Sequence, residues 1–218
     1  MNILFKKIKA IGFDLDETLY APNEEINERI RNEIAKRILQ NKPDLGNIKN
    51  ARNLYETNYK KWKSGSLTLK KLKLENPEQI MHECLSNANV INLIKEDPIL
   101  TIILNKIKEK YELFLLTGSP SETSMEKIKK IGININIFNN LIFGNTFPEA
   151  KKIDSTMFQN FLKTSKYKPD EHVYIGDNLK TDILPAKSQG MKTIYLGNEI
   201  QEADYCIKDI YEIEKLFL

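Results

Sequence analysis

Ile11-Gly12-Phe13-Asp14-Leu15-Asp16-Glu17-Thr18-Leu19-Tyr20 joins a short apolar run to two carboxylates two positions apart. A buried strand that ends in Asp-x-Asp places charge where a core disfavours it. Such a carboxylate needs a partner or a metal. The pair therefore suggests a cation site, a nucleophile, or both. Asp and Thr also cap helices and shape turns, so the stretch alone leaves that plainer reading open.

Two later apolar runs end in the same way. Val173-Tyr174-Ile175 leads into Gly176-Asp177-Asn178, with Asp182 five positions after Asp177. Leu113-Phe114-Leu115-Leu116 leads into Thr117-Gly118-Ser119. In an open parallel sheet, ligands sit beyond the carboxyl ends of the strands, so these three ends can converge on one crevice.

The ordered set Asp14-x-Asp16-x-Thr18, Thr117, a lysine, and Gly176-Asp177-x4-Asp182 resembles the haloacid dehalogenase superfamily of phosphotransferases. The resemblance runs from about Lys9 to the end of the chain, apart from an insert. It implies an α/β, Rossmann-like parallel-sheet core with an inserted α-helical cap of the C1 type. It also implies an aspartyl-phosphate mechanism with Mg²⁺ as cofactor. Asp14 is then the nucleophile. Asp16 is the general acid and base, and its main-chain carbonyl joins Asp14 and Asp177 as metal ligands. Thr117, Gly118 and Leu15 hold the phosphate, while Asp182 and Thr18 support the metal site and its loops. Capping of a helix is the plainer reading of Asp177 and Asp182, and a hydroxyl turn that of Thr117.

Two departures from the family pattern bear on the site. Gly118 stands where many relatives carry Asn, which keeps a backbone donor but removes a side chain; Ser119 and Ser121 offer hydroxyls instead. The phosphate-site lysine is Lys151 or Lys152. Relatives often carry Phe six positions after this lysine; Phe158 lies six after Lys152, and that register favours Lys152 over Lys151, which otherwise reads as a surface lysine. Asp16 itself favours phosphate esters over haloacids, because dehalogenating members lack an acid at that place. The family's calcium pumps share the nucleophile but are much larger and span membranes.

Length and charge narrow the class further. A chain of 218 residues suffices for one core with a smaller companion. The formal charge of +3 is the remainder of 33 basic and 30 acidic residues, which gives no case for a nucleic-acid polymer. Lys60-Lys61-Trp62-Lys63 and Lys70-Lys71-Leu72-Lys73 read as solvated helix faces. Cys84 and Cys206 show no metal-ligand spacing and read as two thiols in a reducing compartment. Met1–Ala10 has no long apolar stretch or cleavage site, and no run approaches the ~20 residues that span a bilayer. A cytoplasmic protein, monomer or homodimer, acting on a small phosphorylated metabolite is expected.

Periodicity supplies the organisation. Strands are expected at Ala10–Asp14, Leu113–Leu116, Leu141–Phe143, Val173–Ile175 and Thr193–Leu196, with a weaker one at Ala203–Ile207. Helices alternate with them from Asp97-Pro98 onward, including Ser121–Ile131, Thr156–Thr164, Ile183–Gln189 and Ile210–Phe217. Between the first two strands, residues 22–96 carry helical patterns only, over Glu24–Leu39, Ile48–Lys63, Thr68–Leu74 and Pro77–Ser86. A core of residues 1–21 and 97–218 with a cap of residues 22–96 follows. Phe-Asp-Leu-Asp-x-Thr-Leu-Tyr together with Asp97-Pro98 resembles the pyrimidine 5′-nucleotidase branch, which hydrolyses nucleoside monophosphates. Tyr55, Tyr59 and Trp62 either stack on a base or pack as core. A sugar phosphomutase of the same superfamily and a non-enzymatic binding module on the same fold are the alternatives.

Overall fold

Ala10–Phe13 forms β1, a strand buried along its whole length, in a computed structural model that describes residues 5–147 and 149–218. The start of the Met1–Ala10 segment lies outside the described residues. Five further strands follow: β2 (Glu112–Leu116), β3 (Phe138–Ile142), β4 (His172–Gly176), β5 (Lys192–Leu196) and β6 (Tyr205–Ile207). They form one sheet of six strands in the order β3-β2-β1-β4-β5-β6, and every pairing is parallel. Burial on both faces explains why β1, β2 and β4 read as largely apolar runs rather than alternating ones.

The central place of β1 brings the site together. Phe13 is level with Leu115 on β2 and with Ile175 on β4. Asp14, Thr117 and Asp177 therefore emerge at the same edge of the sheet. Gly12 is required by close approach: a Cβ there would lie 2.0 Å from the ring of Phe114. That ring belongs to a cluster in which Phe114 stacks on Phe161 at 4.2 Å and Phe158 meets Tyr174 edge-on at 4.9 Å.

Residues Asn23–Leu93 form a separate compact unit by contact, and Met1–Pro22 with Ile94–Leu218 form the other. The helical unit comprises α1 (Glu24–Asn41), α2 (Ile48–Trp62), α3 (Gly65–Lys71) and α4 (Pro77–Asn87). Asn23 and Asn47 cap α1 and α2 through their side chains, accepting from Glu25 and Asn50 N–H at 2.9 and 3.0 Å. Ile34 and Ile38 from α1, Tyr55 from α2, Leu69 from α3 and Cys84 from α4 share its core. Tyr55 stacks on Tyr59 at 5.5 Å and is 4% exposed, so it is a core residue. Lys63, in left-handed conformation at φ 53°, ends α2, and α3 starts at Gly65 rather than at Thr68.

The sheet unit adds α5 (Pro98–Lys108), α6 (Ser121–Ile131), α7 (Thr156–Thr164), α8 (Leu184–Ser188) and α9 (Ile213–Phe217). Two segments differ from the sequence expectation. β3 starts earlier, at Phe138, and its register against β2 shifts between Leu113 and Phe114. The helix expected over Ile183–Gln189 is α8, and a π-helical turn that the periodicity does not indicate, Leu179–Ile183, runs into it. In that turn the Ile183 N–H donates to Asn178 O at 3.3 Å, five residues back. No helix among the described residues is long and apolar enough to cross a membrane.

His172 opens β4 in full burial. Its Nδ1 lies 2.8 Å from the Lys168 carbonyl and its Nε2 lies 2.8 Å from Ser165 Oγ. The carbonyl can only accept, so Nδ1 carries the proton and Nε2 accepts from the hydroxyl. Burial holds the ring's pKa below its ordinary 6.5, against the opposing pull of backbone bonds to Lys168 and Pro169. The unfolded chain therefore takes up this proton first, and stability is lost as pH falls below that value. Urea unfolding should show wild type losing stability relative to His172→Gln between about pH 7.5 and about pH 5.5; identical pH slopes for the two chains would contradict this.

Candidate active site

Asp14, Asp177 and Asp182 bring carboxylate oxygens within 4.8 Å of one another beyond the carboxyl ends of β1 and β4. Asp14 follows β1 directly, and its N–H donates to Ile175 O at 2.9 Å, which extends the ladder one step past the strand. Asp177 follows Gly176, the last residue of β4. Asp182 comes from the π-helical turn, whose cap Asn178 accepts from the N–H groups of Lys180 and Thr181. In return the Asn178 N–H donates to Asp182 Oδ2 at 2.9 Å. Gly176 is needed here, since a Cβ would lie 2.5 Å from that oxygen.

One ammonium sits among these acids. Lys152 donates to Asp14 Oδ1 at 2.7 Å and pairs with Asp182 Oδ1. It is 8% exposed, and its Nζ lies 5.3 Å above the Tyr174 ring. Of the two adjacent lysines, Lys152 is therefore the one that reaches Asp14. The Lys151 N–H donates to Thr156 Oγ1 at 2.7 Å at the entry of α7. Phe158, six positions after Lys152, packs under the site against Tyr174.

The charges do not balance. Three carboxylates share one ammonium, and burial raises the energy of each charge. Burial pushes the Asp14 carboxyl well above its ordinary value; Lys152 opposes this, and Asp182, Asp16 and Asp177 add to it. Burial, Asp182 and Glu17 push Asp177 up to about 7. The Thr18 hydroxyl donates to Asp177 Oδ1 at a long 3.4 Å. A compact set of hard oxygen donors with excess negative charge fits a divalent cation such as Mg²⁺.

Asp16 stands apart from that group. The chain turns sharply after it: Glu17 is left-handed at φ 57°, and Thr18 and Leu19 N–H donate to Leu15 O. Leu15 itself is fully buried. Asp16 accepts from the Tyr20 hydroxyl at 2.7 Å, from Ser119 Oγ at 2.5 Å and from Lys127 Nζ. Burial alone would raise its pKa, but the Lys127 charge and these three bonds outweigh it and hold the carboxyl below its ordinary value. Tyr20 and Lys127 were not expected from the sequence. Lys127 lies in Glu126-Lys127-Ile128-Lys129-Lys130, where its neighbours make it look like one more solvated charge.

The third strand end completes the cradle. The Thr117 N–H donates to Ile142 O at 2.9 Å, and Thr117 Oγ1 accepts the Ser119 N–H at 3.2 Å. That contact leaves the Thr117 hydroxyl proton free to donate elsewhere. Gly118 faces Lys152, whose Cδ would lie 3.9 Å from a Cβ at that position. The Ser121 hydroxyl is turned instead to Asn145, accepting from its Nδ2 at 3.1 Å.

A family model described as haloacid dehalogenase-like hydrolase matches residues 11–196. The chain belongs to the haloacid dehalogenase-like hydrolase family. It is an enzyme class in which this arrangement of strand-end acids is at home, so a non-enzymatic binding module is set aside. Among curated relatives, a glyceraldehyde 3-phosphate phosphatase of Pyrococcus furiosus is 28% identical, over 95% of this chain and 92% of that protein. One of the same name from Methanocaldococcus jannaschii is 29% identical, over 94% of this chain and 95% of that protein. The crystal structure of a HAD phosphatase from Thermococcus onnurineus superposes with a TM-score of 0.67 at 22% identity, covering 96% of this chain and 97% of that one.

Removing Lys152 should expose the imbalance. Lys152→Met leaves Asp14 and Asp182 buried without their cation. In EDTA the unfolding free energy in urea should fall by roughly 3 kcal/mol or more, and a change below about 0.5 kcal/mol would show that the pair contributes little to the fold.

Proposed function

We propose that this hydrolase is a Mg²⁺-dependent phosphatase of small phosphorylated metabolites that works through an aspartyl-phosphate on Asp14. The observation that carries the reading is the buried Asp14 carboxylate, paired with Lys152 at 2.7 Å, at the end of the central strand. A carboxylate so placed is fixed, desolvated and ready to attack an in-line phosphorus. Lys152 offsets the approach of two anions. The Thr117 hydroxyl and the Gly118 and Leu15 N–H groups hold the phosphoryl oxygens as charge develops on them.

The reaction balances with the residues present. An Asp14 oxygen forms a bond to phosphorus while the bond from phosphorus to the ester oxygen breaks. Asp16, held as a carboxylate by Lys127, Tyr20 and Ser119, takes the proton of the bound phosphate monoanion and passes it to the departing oxygen. The Asp16 carboxylate then takes a proton from water, which attacks the aspartyl-phosphate and releases inorganic phosphate. Mg²⁺ held by Asp14, the Asp16 carbonyl and Asp177 supplies neutralisation of the phosphate's charge. Thr18 steadies Asp177, and Asp182 orders Lys152 and the Asn178 turn. The same reading assigns residues 1–21 and 97–218 to the catalytic core and residues 22–96 to a cap that selects substrate.

A three-carbon phosphate is the favoured substrate, on the names of the relatives from Pyrococcus furiosus and Methanocaldococcus jannaschii. The pyrimidine nucleotidase reading rests on the Asp14 stretch and on Asp97-Pro98. Two findings weigh against it. Tyr55 is committed to the helical core and not open to a base, and Arg52, whose charge could otherwise meet a second anionic group, is engaged by Glu28 and Glu56. Asp97 in turn caps α5, accepting from Leu100 N–H at 2.9 Å, and accepts from the Tyr211 hydroxyl at 2.7 Å.

Phosphate release should be measured on glyceraldehyde 3-phosphate, UMP, CMP and hexose phosphates, with Mg²⁺ and with EDTA. Release from the triose phosphate, lost in EDTA, is expected. Preference for UMP or CMP would restore the nucleotidase reading, and a requirement for a bisphosphorylated sugar would point to a mutase. Asp14→Asn should lower turnover at least roughly a thousandfold with the fold intact, and activity near wild type would remove the nucleophile assignment. Millimolar Mg²⁺ should raise the melting temperature of wild type but not of Asp177→Asn; equal shifts would place the ion elsewhere.

A further inference from the structure

A lysine buried on a helix face calls for an explanation, because an aliphatic side chain there would pack without the loss of hydration that a charge suffers. Lys127 is such a residue. It lies on the inward face of α6 with Ser124, Ile128 and Ile131 and is 2% exposed. Its Nζ is directed to Asp16 Oδ1 and lies 6.0 Å from the centre of the Tyr20 ring.

Three elements meet on the Asp16 carboxylate. Tyr20, from the turn after β1, donates to Oδ1 at 2.7 Å, the same oxygen that Lys127 engages. Ser119, from the loop after β2, donates to Oδ2 at 2.5 Å. Both oxygens are thereby held, so rotation about either side-chain bond breaks at least one contact. The second ammonium of the site, Lys152, serves Asp14 and Asp182 instead. The two cations are thus divided between two tasks.

We propose that Lys127, with Tyr20 and Ser119, is the positioning residue that keeps Asp16 in reach of the leaving oxygen. This rests on the phosphatase reading of the site. A general acid acts only within hydrogen-bond distance of the atom it protonates, and its side chain has rotamers that lie outside that reach. Lys127 does not itself touch substrate; it fixes the group that does.

The consequence depends on the leaving group. An alkoxide departing from an alkyl phosphate is strongly basic and needs the Asp16 proton. A p-nitrophenolate is weakly basic and departs without it. kcat/KM reports the steps up to departure, so the two substrates separate positioning of the acid from damage to the site as a whole. In Lys127→Met, kcat/KM for glyceraldehyde 3-phosphate should fall roughly tenfold or more, while that for p-nitrophenyl phosphate should fall less than about threefold. An equal loss on both substrates, or no loss on either, overturns the proposal. If Lys127→Met does not fold, the Tyr20→Phe, Ser119→Ala double variant is read on the same ratio with the same two outcomes. Failure of the unsubstituted chain to release phosphate from either compound would bring down the phosphatase reading itself, whereas an active wild type with an unchanged ratio overturns only the role of Lys127.

Discussion

The ammonium of Lys152, set among buried carboxylates, is the interaction on which the site depends. Asp14 and Asp182 approach from different strands, and without a cation between them their repulsion would oppose the pairing of β1 with β4. Lys152 removes part of that repulsion, and its contact with the Tyr174 face ties it to the apolar core below. Burial, with Asp182 and Glu17 beside it, pushes the Asp177 carboxyl up to about 7. The site is therefore built with an unfilled electrostatic demand, the usual condition of a centre that recruits a divalent ion.

Topology explains why the demand arises at this edge. β1 lies between β2 and β4, and all strands run the same way, so the residues after each strand end level with one another. Two glycines in this region serve the same convergence. Gly12 lets Phe114 cross under β1, and Gly176 lets Asp182 come against the end of β4. Packing and the electrostatics of the site share the same atoms here. Tyr174, packed against Phe158, forms part of the core and also lies under the lysine.

Much of this was legible in the sequence because it follows from period and order. Unbroken apolar runs marked the buried parallel strands, and their small or acidic terminators marked the edge. The register from Lys152 to Phe158 pointed to the lysine that reaches Asp14, and Phe158 packs on Tyr174, the ring beneath that ammonium. What escaped notice had no local signature. Lys127 sits among charged neighbours, and only the fold turns its face inward. Ser119 meets Asp16 from a loop 103 positions along the chain, and Tyr20, only four positions on, is brought back to it by the turn after β1. The shift of β3 and the break between α2 and α3 are matters of boundary, where the difference between a helix end and a turn is a residue or two.

The π-helical turn at Leu179–Ile183 has a bearing on how this segment can change over evolutionary time. A π turn holds one residue more than the α-helical turn it replaces. Here that extra residue sets the phase of Asp182 relative to α8, which follows without a break. Substitutions at exposed Lys180 leave the phase alone. Deletion of any one residue between Asn178 and Ile183 would rotate what remains by about 100° per position lost, carrying the carboxylate away from Lys152 even if every side chain were otherwise kept. The segment is thus open to replacement and closed to changes in length, a constraint that residue-by-residue comparison of related chains would miss and that counting positions between Gly176 and Pro185 would reveal.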